Sequence, residues 1–239
     1  MPRPHKPRHP GVRHAGTAIA NAWLVNAQDG CRVLIDTGHR TERALLVAGL
    51  ARLGVRQPGD LDAVFLTHRH SDHAGNAAYL RERFGCAVVC HVADRPPLEG
   101  GEPAPRLAGR GAPLLHDLLC RVEDAFPAST RVDRTFRDGD VDLGFDIIHV
   151  GGHTEGSVLL YHRESESLFT GDALLAGLPV QGLLVRPRFA YRAYSIDAAE
   201  CRANTRRYLR DRPRVGRLCA GHGPLVTSNV DTYLARLAS

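Results

Sequence analysis

The sequence predicts an α/β protein of layered sheets covered by helices, and three observations carry this. Short apolar runs of strand length recur along the chain: VLI at 33–35, AVFLT at 63–67, IIHV at 147–150, SLFT at 167–170 and RLCA at 217–220. Segments with helical spacing alternate with them, and the second half repeats the rhythm of the first. Each run leads into a polar residue flanked by glycine, the pattern of a rim of strand ends where α/β proteins build sites.

The elements follow in order. Residues 18–26 and 31–36 read as two strands around an Asp29-Gly30 turn. Leu45, Leu46, Leu50 and Leu53 predict a helix over 41–53, stopped by Gly54. The run LDAVFLT precedes the stretch THRHSDHAGN at 67–76, and a helix over 76–84 ends at Gly85. CAVVCHV reads as a buried strand, and the Pro- and Gly-rich residues 94–113 as a loop or lid. Strands are expected at 135–136, 141–143 and 146–150, then a hairpin of 157–162 with 167–170. Residues 177–194 are irregular and Arg-rich. Asp197 with Glu200 opens a helix to about 209 in the manner of a capping box. A strand at 217–220 and a helix over 227–237 close the reading.

Composition bounds the function. The chain has 239 residues, 43% hydrophobic and 24% charged, which suits a globular protein with a sizeable core. No apolar run reaches the length of a membrane span. The opening MPRPHKPRHPGVRH leads into no apolar segment of secretory type, so residues 1–14 are expected to be a disordered basic tail and the location cytoplasmic. That tail carries Arg3, Lys6, Arg8 and Arg13; removing these 4 charges from the formal +5 leaves +1, so nucleic acid is not an expected partner. Lys6 is the only lysine, which excludes a lysine nucleophile in the core. The six cysteines form no CxxC pair, and Cys86, Cys90 and Cys219 read as small buried residues.

The stretch at 67–76 packs His68, His70, Asp72 and His73 into six positions. Imidazoles and carboxylates crowded in this way make poor core and good ligands for a divalent metal. His153, Asp172 and His222, each after a later strand run, bring the set to five imidazoles and two carboxylates. One metal with an open position needs about three or four protein groups, so seven suit two metals with a carboxylate between them. Neutral imidazole and carboxylate favour zinc, two per chain, with iron or manganese possible.

HRHSDH resembles the HxHxDH signature of the metallo-β-lactamase-fold superfamily. GGHTEGSV resembles its GHTxGS segment, FTGD its following GD, AGHGP its terminal GHG and IDTG its first motif, all in the family's order between residues 31 and 224. The resemblance implies a four-layer αββα sandwich of two mixed sheets covered by helices, as one domain over 15–239. It implies that His68, His70 and His153 hold one metal, that Asp72, His73 and His222 hold the other, and that Asp172 bridges them. Asp36 matches the family's non-ligand aspartate and is expected to orient a ligand imidazole or the cluster loop. His70 stands where flavodiiron relatives carry Glu, and Asp172 where zinc β-lactamases often carry Cys.

The activity implied is that of a binuclear metallo-hydrolase in which a metal-bound hydroxide cleaves a thioester, ester or lactone of a small acidic or apolar metabolite, with Asp72 handling the proton. Glyoxalase II-like thioesterases and lactonases are the relatives of this compact form. Only about fifteen residues follow the GHG, too few for the helical domain that recognises glutathione. A mononuclear iron persulfide dioxygenase of the same fold and a phosphodiesterase or nuclease are the alternatives. The partner is a small-molecule substrate, not a membrane, and a homodimer is possible. Arg188, Arg192 and Tyr194 in the Arg-rich stretch are candidates to contact substrate, as are His91 and His39 near the rim. His5, His9, His14, His116 and His162 read as exposed, and His149 as facing either way.

Overall fold

A computed structural model describes residues 11–107, 111, 113–177 and 187–239. The first sheet contains β1 (Val12–His14), β2 (Trp23–Asn26), β3 (Arg32–Ile35), β4 (Ala63–Phe65), β5 (Ala87–His91) and β6 (Arg134–Phe136), side by side in chain order. Its first three strands are antiparallel and β3 to β6 are parallel. The second sheet contains β7 (Val141–Asp142), β8 (Phe145–His149), β9 (Val158–His162) and β10 (Ser167–Gly171). A ribbon of β11 (Leu174–Leu175) and β12 (Arg188–Phe189) follows. The last strand, β13 (Arg217–Ala220), returns to pair in parallel with β10, giving the order β13-β10-β9-β8-β7.

Helices cover both outer faces. α1 (Arg43–Arg52), α2 (Ser71–Ala74), α3 (Ala77–Phe84), α4 (Arg95–Leu98) and α5 (Leu114–Ala125) belong to the first half, α6 (Ala198–Asp211) and α7 (Val230–Ala238) to the second. Alternation along each strand separates three cores. Leu24, Leu34, Val64 and Val88 face Leu46, Leu50, Leu80 and Phe84 of α1 and α3. Val25, Val33, Phe65 and Val89 face Phe145, Ile147, Leu160 and Phe169 of the other sheet. Leu159, Leu168 and Leu218 face Leu209 and Leu234 of α6 and α7. Phe65 meets Phe136 edge-on at 4.9 Å and Phe145 across the sheets at 5.4 Å. These four layers are the αββα architecture the sequence implies.

Local chemistry accounts for the element ends. Gly85 ends α3 in the left-handed conformation at φ 67°, and the Asp197 side chain caps α6 by accepting from Ala199 N and Glu200 N. Several expectations need correcting. Val12–His14 is an edge strand on β2, so the ordered fold reaches into the expected tail; residues 1–10, with His5 and His9, lie outside the described residues. Leu45 is exposed, because α1 presents Leu46 and Leu50 to the sheet. Residues 94–113 contain α4, and α5 follows where no helix was expected. His162 is buried and bonds to Ser165 Oγ at 2.8 Å, because its strand is central and covered on both faces. Cys86, Cys90 and Cys219 are buried as expected. Among the described residues, no helix is long and apolar enough to cross a membrane.

Gly49 of α1 lies against the strand–loop junction at Ala15, where a Cβ would collide with the Ala15 carbonyl oxygen. Gly49→Ala is expected to cost about 1–3 kcal/mol of overpacking. A urea titration should show a lower midpoint with an unchanged slope.

Candidate metal centre

Five strand ends converge on one rim. β3 leads into Asp36, β4 into the histidine cluster, β8 into His153, β10 into Asp172 and β13 into His222. β3 runs parallel to β4; β8 and β10 both run antiparallel to β9, and β13 runs parallel to β10. Three overlapping groups result: His68, His70 and His153; Asp72, His73 and His222; and His68, His73 and Asp172, each with one ligand atom per residue within 4.8 Å of the others. Asp172 faces both sides, with Oδ2 3.7 Å from His153 Nε2 and Oδ1 3.2 Å and 3.4 Å from Nε2 of His73 and His222.

Hydrogen bonds behind the rings fix which nitrogen points inward. Asp36 stands at φ 57°, a backbone region Asp tolerates, and accepts from Thr67 N and Thr67 Oγ1, each at 2.8 Å, and from His73 Nδ1 at 2.8 Å. Since Thr67 Oγ1 donates to Asp36, it accepts from His68 Nδ1 at 3.1 Å. Ser195 Oγ donates to Tyr191 O and accepts from His153 Nδ1 at 3.0 Å. His222 Nδ1 donates to the Ile19 carbonyl at 2.7 Å. In all four histidines Nδ1 carries a hydrogen and Nε2 faces the centre.

That arrangement fits a cation. His68 Nε2 and His153 Nε2 face each other at 3.2 Å, lone pair to lone pair. His70 Nε2 is buried and has no hydrogen-bond partner, and His73 Nε2 and Asp172 Oδ1 are buried facing each other at 3.2 Å. A buried ring nitrogen left without a partner costs about 1–3 kcal/mol unless something coordinates it. Protein groups alone leave the charges strongly shifted. Burial, joined by neighbouring imidazoles, holds His68 and His70 well below the usual histidine range, and burial pushes His153 down to about 4. Burial also opposes charge on His73 and His222, but Asp72 and Asp172 outweigh it and raise both, His222 to about 10. The same pairing overcomes burial at Asp72 and Asp172 and holds both carboxyls below their usual range.

Ties outside the seven residues set the loops. Asp94, after β5, accepts from Thr154 Oγ1 at 2.8 Å and Gly156 N at 2.9 Å, with Arg69 Nε at 3.7 Å. It so joins the HRHSDH stretch to the loop after His153; burial pushes its carboxyl up to about 6. A Cβ on Gly156 would lie 2.6 Å from Asp94 Cγ, so glycine is required there. Glu123 of α5 accepts from Ser71 N at 2.9 Å and from Ser71 Oγ, gripping the start of α2.

A cavity of about 390 Å³ opens beside the cluster, lined in part by His70, Asp72, Asp172 and His222. Asp72 keeps 28% of its side chain accessible there. Tyr194 and His39 line this cavity. His91 does not: it is buried and stacks on His149 at 4.1 Å, because β5 ends one strand away from the cluster. Arg188 is also displaced, its guanidinium 4.5 Å above the Tyr191 ring and donating to Gly177 O. Arg192 lines a separate groove with Arg202 and Arg206. His14 and His116 are half-buried rather than exposed, His14 edge-on to Trp23 and His116 beside Tyr194. Arg186 lies outside the described residues. Sequence reasoning missed Thr67, Asp94, Glu123, Ser195 and the Ile19 carbonyl. Only Glu123 left a signal, in the i, i+3, i+4 pattern of LLHDLLCRVEDA.

The family model described as Metallo-beta-lactamase superfamily matches residues 15–222. The chain is 27% identical over 228 residues to a protein of Bacillus subtilis named probable metallo-hydrolase YqjP, covering 88% of this chain and 70% of the relative. It is 31% identical over 164 residues to a hydroxyacylglutathione hydrolase, GloC, of Haemophilus influenzae, covering 66% and 68%. The solved structure of TTHA1623 in a di-iron-bound form superposes with a TM-score of 0.63 at 30% identity, over 91% of this chain and 93% of that one.

Asp36→Ala removes the acceptor behind His73 and Thr67. Metal affinity is expected to fall about 10- to 100-fold, as for other residues that orient ligands. Metal titration against a competing chelator checks this, and unchanged affinity would remove Asp36 from the support of the cluster.

Proposed function

Given that the chain belongs to the metallo-beta-lactamase superfamily, we propose that it is a metal-dependent hydrolase that adds water to the carbonyl of a thioester, ester or lactone. One observation carries this reading: two ligand groups joined through Asp172 border a cavity into which Asp72 also opens. The printed names of the relatives, probable metallo-hydrolases and hydroxyacylglutathione hydrolases, support it.

His68, His70 and His153 would hold one cation, and Asp72, His73 and His222 a second, with Asp172 between them. When bound, such cations supply Lewis acidity and lower the pKa of water. Zinc suits this donor set, and the di-iron form of TTHA1623 keeps iron a candidate. The chain's own groups do the rest. Asp72, 3.2 Å from His222 Nε2, takes the proton that water gives up as the new C–O bond forms, and passes it to the departing oxygen or sulfur. Tyr194 lines the same cavity, where its phenol can donate to the developing oxyanion. The network behind the imidazoles keeps their lone pairs aimed as charge moves.

Protein purified without added metal is expected to contain two metals per chain by elemental analysis. Asp172→Ala should lose at least one of them and about 100-fold or more in kcat/KM on an ester or thioester that the wild type turns over, with circular dichroism unchanged. One metal per chain under excess, or full turnover in this variant, would sink the binuclear reading; oxygen uptake in place of hydrolysis would sink the hydrolase. In Tyr194→Phe, kcat should fall about 10-fold or more with KM little changed, and an unchanged kcat would exclude the phenol from the oxyanion.

A further inference from the structure

We propose that the cavity beside the metal centre selects substrates with a neutral, apolar acyl group and rejects those whose acyl group ends in a carboxylate, and that Glu123 of α5 is the residue that sets this choice. The proposal rests on the hydrolase reading above and names the substrate class of that same site.

The walls supply the first observation. Ile19, Leu107, Leu119, Val122 and Leu175 line the cavity with Tyr191 and Tyr194, and its volume of about 390 Å³ is within the range of small-molecule pockets. Charge supplies the second. No lysine or arginine is among the described lining residues. Arg188 is held over Tyr191 by its stacking and its bond to Gly177 O, and Arg192 lines the other groove. Apart from the imidazoles, the titratable side chains with acidic groups among the described lining residues are Glu123, Asp72 and Asp172.

Glu123 differs from the two aspartates. It lies outside the ligand groups, and both its oxygens accept from Ser71, one from an N–H and one from an O–H; burial, joined by Asp72, raises its carboxyl above the usual range, and the Ser71 bonds oppose that rise. Its neighbours on α5, Leu119 and Val122, form the apolar wall on either side. An acyl carboxylate entering this wall would lose water, meet no lysine or arginine among the described lining residues and face the acceptor oxygens of Glu123. An alkyl chain would bury apolar surface instead. α5 also extends the wall outward. Leu115, Leu118, Leu119, Val122 and Phe126, at spacings of three and four, are all exposed on one stripe of the helix. A chain too long for the cavity can continue along that stripe.

The test uses the full-length, metal-loaded protein and two thioesters of one thiol, octanoyl and 7-carboxyheptanoyl, of equal chain length. The octanoyl thioester is expected to have a kcat/KM at least 10-fold higher, and calorimetry should show octanamide binding at least 10-fold tighter than its 7-carboxy counterpart. Glu123→Gln should narrow both ratios several-fold. Leu119→Arg, placed on the exposed side of the wall, should narrow them too if Glu123→Gln fails to fold. Equal handling of the pair, or preference for the carboxylate, would overturn the proposal. If neither thioester is hydrolysed while octanamide still binds preferentially, the selectivity stands and the hydrolase reading falls.

Discussion

Two imidazole nitrogens with lone pairs aimed at each other cannot be held 3.2 Å apart by apolar packing alone. The protein accepts that repulsion, and the unpartnered Nε2 of His70, by building a rigid frame around them. Three apolar cores fix two sheets face to face, so that strand ends from both sheets share one rim. Behind the rim, Asp36, Thr67, Ser195 and the Ile19 carbonyl each engage an Nδ1 or the group that holds it. The imidazoles are thereby committed to one tautomer and one orientation, which is the preorganisation a metal site needs.

Much of this was legible in the sequence, for a local reason. The ligands follow short apolar runs directly, so a strand and its rim position are both legible in the same few residues, as in SLFTGD and RLCAGH. Asp36 was legible through IDTG, although its three hydrogen bonds were not. Long-range partners left no trace: Ser195 reaches His153 across 42 positions and Ile19 reaches His222 across 203. His162 was misread because burial depends on which sheet covers a strand, and a polar side chain inside one gives no warning that Ser165 will satisfy it. α5 was missed because its preceding residues are rich in Pro and Gly and its leucines face outward rather than into a core.

The arginines illustrate the same limit from the other side. Arg188, Arg192, Tyr191 and Tyr194 are close in sequence, and proximity suggested one binding surface. The short turn of 192–194 sends them to different places: Tyr194 to the cavity, Arg192 to the groove along α6, and Arg188 onto the ring of Tyr191. The Arg188 guanidinium is stacked on that ring and donates to Gly177 O. The stretch that reads as a cationic patch therefore contributes aromatic surface to the site.

The two ligand groups are not anchored alike. His68, His70 and His153 stand on loops after β4 and β8, strands flanked on both sides within their sheets. His222 follows β13, which ends the second sheet and has β10 as its one strand neighbour. That edge is steadied by Val226, which exchanges two backbone hydrogen bonds with Leu218, and by the other end of the chain: Asn21 Nδ2 donates to the carbonyls of Ala220 and Gly223, Asn21 N to that of Gly221, and Trp23 Nε1 to that of Ala220. Edge strands open at lower free energy than central ones. A fluctuation that parts β13 from β10 and from the Asn21 clasp withdraws His222 while the trio of His68, His70 and His153 stays assembled.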